Sequence, residues 1–167
     1  MGIRARIFFI TLSCLFVGFS LSFIVAERDL SIKLQAQIET ELSRQAKILR
    51  KSISGLIDSG DLFALKAEAD EYASASDSRI TIILKNGDVI VDSDIEVSRI
   101  NELDNHSDRP EIISAFKNGY GSSKRFSSTV KKEMFYFALL DKSNNQERVI
   151  RISVSYTHLT LPTTPYV

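Results

Sequence analysis

One short stretch of the chain gathers several side chains that could do chemistry: DNHSDRPE, from Asp104 to Glu111. It contains His106, which is one of only two histidines in the sequence, together with carboxylates and an arginine. A histidine among carboxylates can ligate a metal ion or act as a general base. A histidine beside an arginine can instead bind a small anion. The same residues could also do no more than begin a helix.

Metal binding and catalysis have little support in the sequence. A lone histidine with Asp104, Asp108 and Glu111 lacks the ligand spacing of zinc or iron sites and the regular oxygen alternation of calcium loops. No nucleophile elbow or glycine-rich phosphate loop accompanies it. We therefore predict no catalytic residue and no metal site.

Two interpretations of the stretch stay open. In one, His106 and Arg109 line a small pocket for an anionic ligand against a β-sheet, with Arg125 and Arg151 as possible helpers. In the other, the same side chains form a polar network that only fixes the loop. The sequence alone does not choose between them.

The stretch is also suited to start a helix. Because the residue before a proline avoids helical angles, Arg109 is a natural boundary and Pro110 a good first helical residue. Asp108 and Glu111 have the spacing of a capping box, although either Asp108 or Arg109 could be the cap. Asn118-Gly119 is predicted to end the helix. Its buried side is predicted to consist of Ile112, Ile113 and Phe116.

Strand patterns flank this helix. Apolar side chains alternate with other residues over 80–84, and a second apolar run covers 89–91. Asn86-Gly87 supplies a turn between the two runs, which predicts a β-hairpin. In the last strand, Arg151 and Ser153 are expected on a wet side of the sheet. Three further antiparallel strands are predicted over residues 121–129, 133–142 and 147–155. The sequence thus predicts an α+β domain with about five strands and helices inserted between the second and third.

Two helices are predicted before the hairpin. Residues 27–58 contain no proline and carry apolar side chains at helical intervals, so a long amphipathic helix is expected. Its spacing approaches a seam for a partner helix, which either the domain itself or a parallel homodimer could use. Ser59-Gly60-Asp61 then supplies a cap for a second helix, from Leu62 to about Ala75.

The chain opens with an uncharged run. Residues 7–26 carry no charge and are long enough to span a hydrocarbon core of roughly 30 Å, so we predict a helix embedded in membrane lipid. Arg4 and Arg6 precede it, which predicts a cytoplasmic segment 1–6 and an extracytoplasmic domain 27–155. A retained anchor is favoured over a cleaved signal peptide, because Ile24-Val25-Ala26 is a poor cleavage site.

Composition narrows the class of partner. The 167 residues include 21 basic and 21 acidic side chains, so nothing in the charge indicates a nucleic-acid partner. Cys14 is the single cysteine, which excludes an internal disulfide.

The residues also carry a family resemblance. The order of a membrane helix, a long helix, RITIILKNGDVIVDSD, DNHSDRPEIISAFKNGYGSSKRFSST, MFYFALL and VIRISVS resembles the extracytoplasmic PAS-like (Cache-type) sensor region of bacterial two-component sensor histidine kinases, in particular the phosphate-regulon sensor type. The likeness covers about residues 5 to 155. Its most specific parts are Asp92-Ser93, Asn105-His106, Arg109-Pro110-Glu111 and the GSSKRFS strand opening.

The resemblance implies a sensor at the bacterial inner membrane that responds to an extracytoplasmic ligand or partner protein of unknown identity. The family's kinase domains, which bind ATP and Mg²⁺ and pass phosphate to a response regulator, are expected beyond this segment, and no cofactor is expected within it. The candidate ligand-binding or signalling residues are Asn105, His106, Arg109, Glu111, Arg125 and Arg151. The residues expected to shape the loop and cap the helix are Asp92, Ser93, Asp108 and Pro110.

The chain also departs from that family. His106 and His158 lack the sequence context of a phosphoacceptor histidine, so this segment alone is expected to phosphorylate nothing. Residues 156–167 have no helix or strand period and resemble a translated adaptor tail, so we expect them to be artefactual. The alternatives are the sensor segment of a chemotaxis receptor and a membrane-anchored binding protein.

Overall fold

The computed structural model describes residues 2–127, 131–143 and 146–155, so the expected tail lies outside the described residues. Within these described residues, three α-helices, a short 3₁₀ helix (Val97–Glu102) and five strands make an α+β fold, which confirms the predicted class. The elements in chain order are α1 (Ile3–Ser59), α2 (Leu62–Ser76), β1 (Arg79–Leu84), β2 (Val89–Asp92), the 3₁₀ helix (Val97–Glu102), α3 (Pro110–Asn118), β3 (Tyr120–Ser127), β4 (Lys132–Asp141) and β5 (Arg148–Ser155).

The predicted membrane helix and the long amphipathic helix belong to one continuous α1. No glycine or proline occurs between Gly18 and Gly55, so nothing in the sequence interrupts it. The chain divides into two compact units, with the boundary between Ile38 and Glu39.

In the first unit, α1 exposes its uncharged run. By length and composition this part of the helix could cross a membrane. A continuous apolar surface of this kind is unfavourable in water, which agrees with the predicted anchor. The exposed large apolar side chains include Phe8, Phe9, Leu12, Leu15, Phe16, Phe19, Leu21 and Phe23.

In the second unit, the five strands form one antiparallel sheet in the order β2-β1-β5-β4-β3. The predicted hairpin is present, and Gly87 in its turn has a φ of 90°. This left-handed conformation suits glycine, which has no side chain to clash with the backbone. The last three strands are antiparallel neighbours, as predicted.

One face of the sheet buries aliphatic and aromatic side chains against helix α1. Ser122 of β3 donates to Glu39 of α1 over 3.2 Å, which places the helix on this face. Alternation along the strands gives this face its apolar character. Its buried members include Ile80, Ile82, Phe135, Phe137, Ile150 and Ile152 from the strands, and α1 contributes buried Leu42, Ala46, Leu49 and Ile53.

The opposite face is covered as well, so the predicted wet side is wrong. Arg151 and Ser153, which alternation assigned to that side, are only 3% and 1% exposed. Helix α3 packs here, and a Cβ added to Gly121 of β3 would lie 2.3 Å from the backbone oxygen of Glu111. An apolar cluster fills the end of this face nearest the hairpin turn: Ile83, Val89, Ile100, Ile112, Ala115, Ala138, Leu140 and Val149.

Candidate functional site

The rest of the covered face carries a polar cluster, which we call the arginine cluster. Strand register assembles it: Thr81 pairs with Arg151, and Arg79 pairs with Ser153. On the other side of β5, Ser153 pairs with Tyr136, which in turn pairs with Ser123 of β3. Because side chains opposite one another share a face, these polar groups converge. The arginine cluster consists of Arg79, Thr81, Asp92, Glu111, Ser123, Arg125, Tyr136, Arg151 and Ser153.

Glu111, in the first turn of α3, is the centre of one half of the cluster. Its carboxylate is fully buried and accepts a hydrogen bond of 2.6 Å from the Ser123 hydroxyl. Its other oxygen lies 3.1 Å from Nη2 of Arg125 and 3.5 Å from Nη1 of Arg151. Burial by itself raises the pKa of Glu111, but Ser123, its own backbone N–H and the two guanidinium groups outweigh burial and hold the pKa below the usual value. Glu111 is therefore a carboxylate anion at neutral pH.

Asp92, at the end of β2, is the centre of the other half. It is fully buried, and its two oxygens accept from Nε of Arg79 at 2.9 and 3.1 Å. The Thr81 hydroxyl donates to Asp92 over 2.9 Å and accepts from Nη2 of Arg151 over 3.2 Å. Thr81 thus joins the two buried carboxylates through Arg151.

The aromatic ring of Tyr136 contacts two arginines of the cluster, Arg125 and Arg151. The guanidinium carbon of Arg125 lies 3.9 Å from the centre of the Tyr136 ring, and that of Arg151 lies 5.3 Å from it. A ring face attracts a cation at these distances, so Tyr136 helps to hold both groups inside the protein.

Some buried donors of the cluster have no acceptor. Within the described residues, Nε of Arg151, Nε of Arg125 and the hydroxyl of Ser153 have no hydrogen-bond partner. Burial lowers the pKa of Arg151 to about 10; Glu111 opposes this shift and the charge of Arg79 adds to it. Arg151 remains charged at neutral pH, and an unsatisfied buried donor costs free energy unless something binds it.

His106 lies at the margin of the cluster. Its Nδ1 is 2.6 Å from the carbonyl oxygen of Asp104, which can only accept, so Nδ1 carries the hydrogen. Burial lowers the pKa of His106, and the nearby charges of Arg151 and Arg109 lower it further. His106 is therefore neutral at pH 7.

Asn105 has a structural position. Its Nδ2 donates to the backbone oxygen of Asn86 and to Asp88, each over 2.9 Å. A Cβ on Gly87 would lie 2.2 Å from Oδ1 of Asn105. Asn105 therefore attaches the loop to the hairpin turn and does not point into the cluster.

Of the six predicted candidates, Glu111, Arg125 and Arg151 meet in the cluster, and the charges of Arg109 and Arg151 act on His106 beside it. Asn105 does not join them. No observation of binding or signalling tests any of the six, so those roles stay predictions.

The predicted capping box is wrong. Arg109 is the N-cap residue of α3 and makes no side-chain capping bond, while Pro110 is the first helical residue, as predicted. Asp108 is exposed, and its carboxylate is 3.6 Å from Nε of Arg109. The physical reason is that Glu111 points inward to the arginines and its carboxylate does not return to the cap.

Asp92 and Ser93 were predicted to follow the second strand; Asp92 is instead the last residue of β2, Ser93 follows it, and the two have different roles. Ser93 exchanges hydrogen bonds with Ile80, as its N–H donates to the carbonyl over 2.9 Å and its hydroxyl accepts from the Ile80 N–H over 3.1 Å. Asp92 belongs to the arginine cluster.

The sequence prediction missed five members of the cluster. The available signal was the alternation in β1, since Arg79 and Thr81 face away from Ile80 and Ile82. That alternation does not reveal which strand is the neighbour. The five are Arg79, Thr81, Ser123, Tyr136 and Ser153.

A cleft of about 540 Å³ opens at the end of the sheet nearest α2. Arg79, Ser153 and Met134 line its sheet side, and Asp70 and Asp77 come from α2 and its C-cap. Within residues 2–127, 131–143 and 146–155, no three His, Cys, Asp or Glu side chains are placed to hold a metal ion.

Comparisons with known proteins identify the fold. No protein-family model and no curated protein matches the sequence. Among solved structures, the ligand-binding domain of the Campylobacter jejuni chemoreceptor Tlp3 with 4-methylisoleucine matches with a TM-score of 0.58 at 10% identity, over 76% of this chain and 55% of that chain. The same domain with L-valine matches with a TM-score of 0.58 at 12% identity, over 76% and 56%.

The sensor domain of the V. cholerae histidine kinase DctB matches with a TM-score of 0.53 at 13% identity, over 76% of this chain and 54% of that chain. The chain thus spans a little over half the length of each of these structures. At such low identity the likeness establishes the fold, which is one used by bacterial sensor domains.

Proposed function

We propose that the chain is the sensing segment of a bacterial transmembrane receptor, with residues 7–26 in the inner membrane and residues 27–155 outside the cytoplasm. One observation carries the proposal. An antiparallel sheet in the order β2-β1-β5-β4-β3 follows a long helix whose first part exposes an uncharged run, and solved bacterial sensor domains share this fold.

The first candidate receptor is a two-component histidine kinase of the phosphate-regulon type. The residues of the family resemblance support it: Asp92-Ser93, Asn105-His106 and Arg109-Pro110-Glu111. In that reading, domains encoded beyond residue 155 bind ATP and Mg²⁺, phosphorylate a histidine and pass the phosphate to a response regulator.

A chemotaxis receptor is the second candidate, favoured by the likeness to the Tlp3 domain. The intact gene separates the two. A second apolar span followed by a phosphoacceptor histidine and an ATP-binding domain identifies the kinase, and a long heptad-rich methylation region identifies the chemoreceptor. A genuine stop directly after the domain would contradict both and leave a membrane-anchored binding protein.

The sensing site in this proposal is the arginine cluster with His106 and Arg109 beside it. In this proposal α3 packs on the sheet in two alternative arrangements. A ligand or partner protein that binds one arrangement more tightly than the other shifts the protein toward that arrangement. Since α1 is one helix from Ile3 to Ser59, a small shift can pass along it, within a homodimer that the long helix forms.

Alanine substitutions in a full-length receptor test this site. His106→Ala and Arg109→Ala are expected to change signalling output while membrane insertion stays the same. Arg99→Ala is the control, because Arg99 is exposed and pairs only with nearby Glu102 among the described residues. Output that stays unchanged across stimuli in both variants would remove the site from the proposal.

A further inference from the structure

A groove of about 700 Å³ lies between helix α1 and the edge strand β3, on the face of the sheet opposite the arginine cluster. Tyr120 of β3 is 54% exposed there, and Ile48 of α1 is 50% exposed. The Tyr120 ring stacks on buried Phe137 with the ring centres 6.3 Å apart, which holds it in place. Apolar side chains left open to water inside a polar rim are typical of a binding surface. We call this surface the α1–β3 groove, and its lining includes Glu39, Arg44, Lys47, Ile48, Lys51 and Tyr120.

The helix side of the α1–β3 groove is basic. Residues 42–57 of α1 include no aspartate or glutamate, and three cations of this segment, Arg44, Lys47 and Lys51, line the groove. Arg44 is paired with Glu41 at 2.6 Å. Lys47 and Lys51 are exposed and have no ion pair within the part of the chain that the structure describes. The two lysines therefore leave positive charge beside the exposed apolar side chains.

The carboxylate of Glu39 does not neutralise these lysines. Glu39 accepts a hydrogen bond of 3.2 Å from Ser122 at the start of the groove. Because an α-helix rises 1.5 Å per residue, Lys47 and Lys51 lie about 12 and 18 Å further along α1. Exposed charges are largely screened beyond roughly 8 Å at physiological ionic strength. The groove thus has an acidic end at Glu39 and a basic end at the two lysines.

A second copy of the chain does not fit this groove. The apolar side of α1 is already buried in its own domain, since Leu42 and Leu49 are 3% and 0% exposed. Two copies anchored in one membrane run parallel, and a two-fold contact along the open side of α1 places Lys47 and Lys51 opposite their own counterparts. Like charges that meet across an interface cost free energy. The homodimer of the proposed function is therefore left the part of α1 before Ile38.

We propose that the α1–β3 groove binds an acidic segment of an extracytoplasmic partner protein. A large apolar side chain of this segment packs against Ile48 and Tyr120, and its carboxylates lie opposite Lys47 and Lys51. The buried apolar anchor supplies affinity, and the charges select the partner. Glu39 repels the acidic part of the segment and so sets its direction along the groove. The biological meaning of this contact rests on the proposed sensing function, whose partner class it names.

The test uses the full chain in nanodiscs of zwitterionic phosphatidylcholine, with binding followed by the fluorescence anisotropy of labelled synthetic peptides. The probe is the peptide EDEFEDE. The peptide QNQFQNQ removes its charges, and EDEAEDE removes its apolar anchor. We expect the wild type to bind EDEFEDE about tenfold or more tightly than either of the other two. Absence of EDEFEDE binding, or equal affinity for EDEFEDE and EDEAEDE, would overturn the proposal.

A double charge reversal tests the basic end of the groove. Lys47→Glu with Lys51→Glu should weaken EDEFEDE binding about tenfold or more, because the carboxylates of the peptide then meet like charges. Arg99→Glu with Lys117→Glu is the matched control, since it changes the net charge equally at two exposed positions outside the groove. The control pair should leave the affinity unchanged. Equal weakening by the two pairs would mean that only the overall charge attracts the peptide.

Tyr120→Ser tests the apolar contact. It should weaken EDEFEDE binding and leave EDEAEDE binding unchanged, because only the first peptide has an anchor to lose. Equal losses for both peptides would contradict the contact. Two other occupants have their own signatures: tighter binding of polyphosphate than of EDEFEDE identifies a polyanion, and altered sedimentation of the Lys47→Glu, Lys51→Glu variant identifies a second copy. Either result would overturn the proposal.

The peptide measurements and the proposed receptor function can fail separately. Peptide binding is measured on the chain itself, whereas the receptor class is decided by the intact gene. A failure of one therefore leaves the other standing.

Discussion

At the scale of single residues, the interior of the domain depends on the two fully buried carboxylates of the arginine cluster. Glu111 and Asp92 are both fully buried, and arginine and hydroxyl donors bind each of them. Transferring a charged group from water to the protein interior costs several kcal/mol. A buried ion pair offsets this desolvation cost only when its geometry is good and additional hydrogen bonds are made. The loss of one partner from such a pair is therefore expected to be severe.

Arg79→Met should lower the free energy of unfolding by about 3–5 kcal/mol, because it leaves the buried Asp92 carboxylate without its cation. Arg99→Met is the matched control. Its ion pair with Glu102 is exposed and should contribute less than about 1 kcal/mol. Urea unfolding of the two variants in detergent measures both values, and equal losses would show that the buried pair has no special role.

His106 should make the stability of the domain depend on pH. Burial and the charge of Arg151 lower its pKa in the folded protein below 6.5, the value expected when unfolded. The unfolded chain then binds more protons in the interval between the two values, so the stability contribution is full above pH 6.5 and is lost as the pH falls through the folded pKa. The pKa of Glu111 is held below its usual value of 4.5, so Glu111 is ionised at the pH values above 5 at which His106 is followed.

The measurement is the unfolding free energy from pH 5 to 8 in a His158→Gln background, which leaves His106 as the single histidine. Stability should rise with pH up to about 6.5, and His106→Gln should flatten that rise. An NMR titration that gives His106 a pKa above 6.5 would contradict the structural account of its surroundings.

At the scale of elements, one of the two predicted helix caps is present in the structure and the other is not. Asp61 caps α2 as predicted, since its carboxylate accepts from the N–H groups of Phe63 and Ala64 at 3.1 and 3.0 Å. Asp108 stands before α3 in a similar sequence context and makes no capping bond. Asp61→Ala should therefore cost about 1 kcal/mol of unfolding free energy, and Asp108→Ala should cost less than half as much. Equal losses in thermal unfolding would restore Asp108 as a cap.

The contact between α3 and β3 allows a second test with two glycines. A Cβ at Gly121 would meet the backbone of α3 at 2.3 Å, whereas a Cβ at Gly55 within α1 would meet nothing within 4 Å. Gly121→Ala should destabilise the domain by about 1–3 kcal/mol through overpacking. Gly55→Ala should stabilise α1 by about 0.5–1 kcal/mol, because alanine favours a helix interior. Urea unfolding that shows the same sign for both would contradict the packing of α3.

Elements set by local chemistry could be predicted from the sequence. The turn at Asn86-Gly87 and the start of α3 at Pro110 depend on backbone preferences of the residues themselves, and both are present. The arginine cluster could not be predicted in full, because it depends on which strands pair. Alternation correctly separates Arg151 from Ile150 and Ile152, but it gives no information about α3 covering the polar side.

At the scale of the whole molecule, the two units differ in where their apolar side chains lie. The core of the unit from Glu39 onward lies in the sheet and the helices that cover it. In the unit before it, the uncharged run of α1 is exposed along its length. If that run lies in lipid, its apolar side chains contact hydrocarbon, and a charged side chain among them raises the free energy of membrane insertion. At an exposed position of the second unit, a charged side chain contacts water and should cost little free energy.

Paired substitutions by arginine test this difference. Leu12→Arg with Phe16→Arg adds two charges to the run and should cost about 5–7 kcal/mol of insertion free energy, at about 2.5–3.5 kcal/mol each. Leu62→Arg with Phe63→Arg is the matched pair, since Phe63 is 78% exposed on α2 and Phe16 is 73% exposed on α1. Membrane pellets after carbonate extraction should lose the first variant and keep the second. Retention of both in the pellet would mean that this run does not hold the protein in the bilayer.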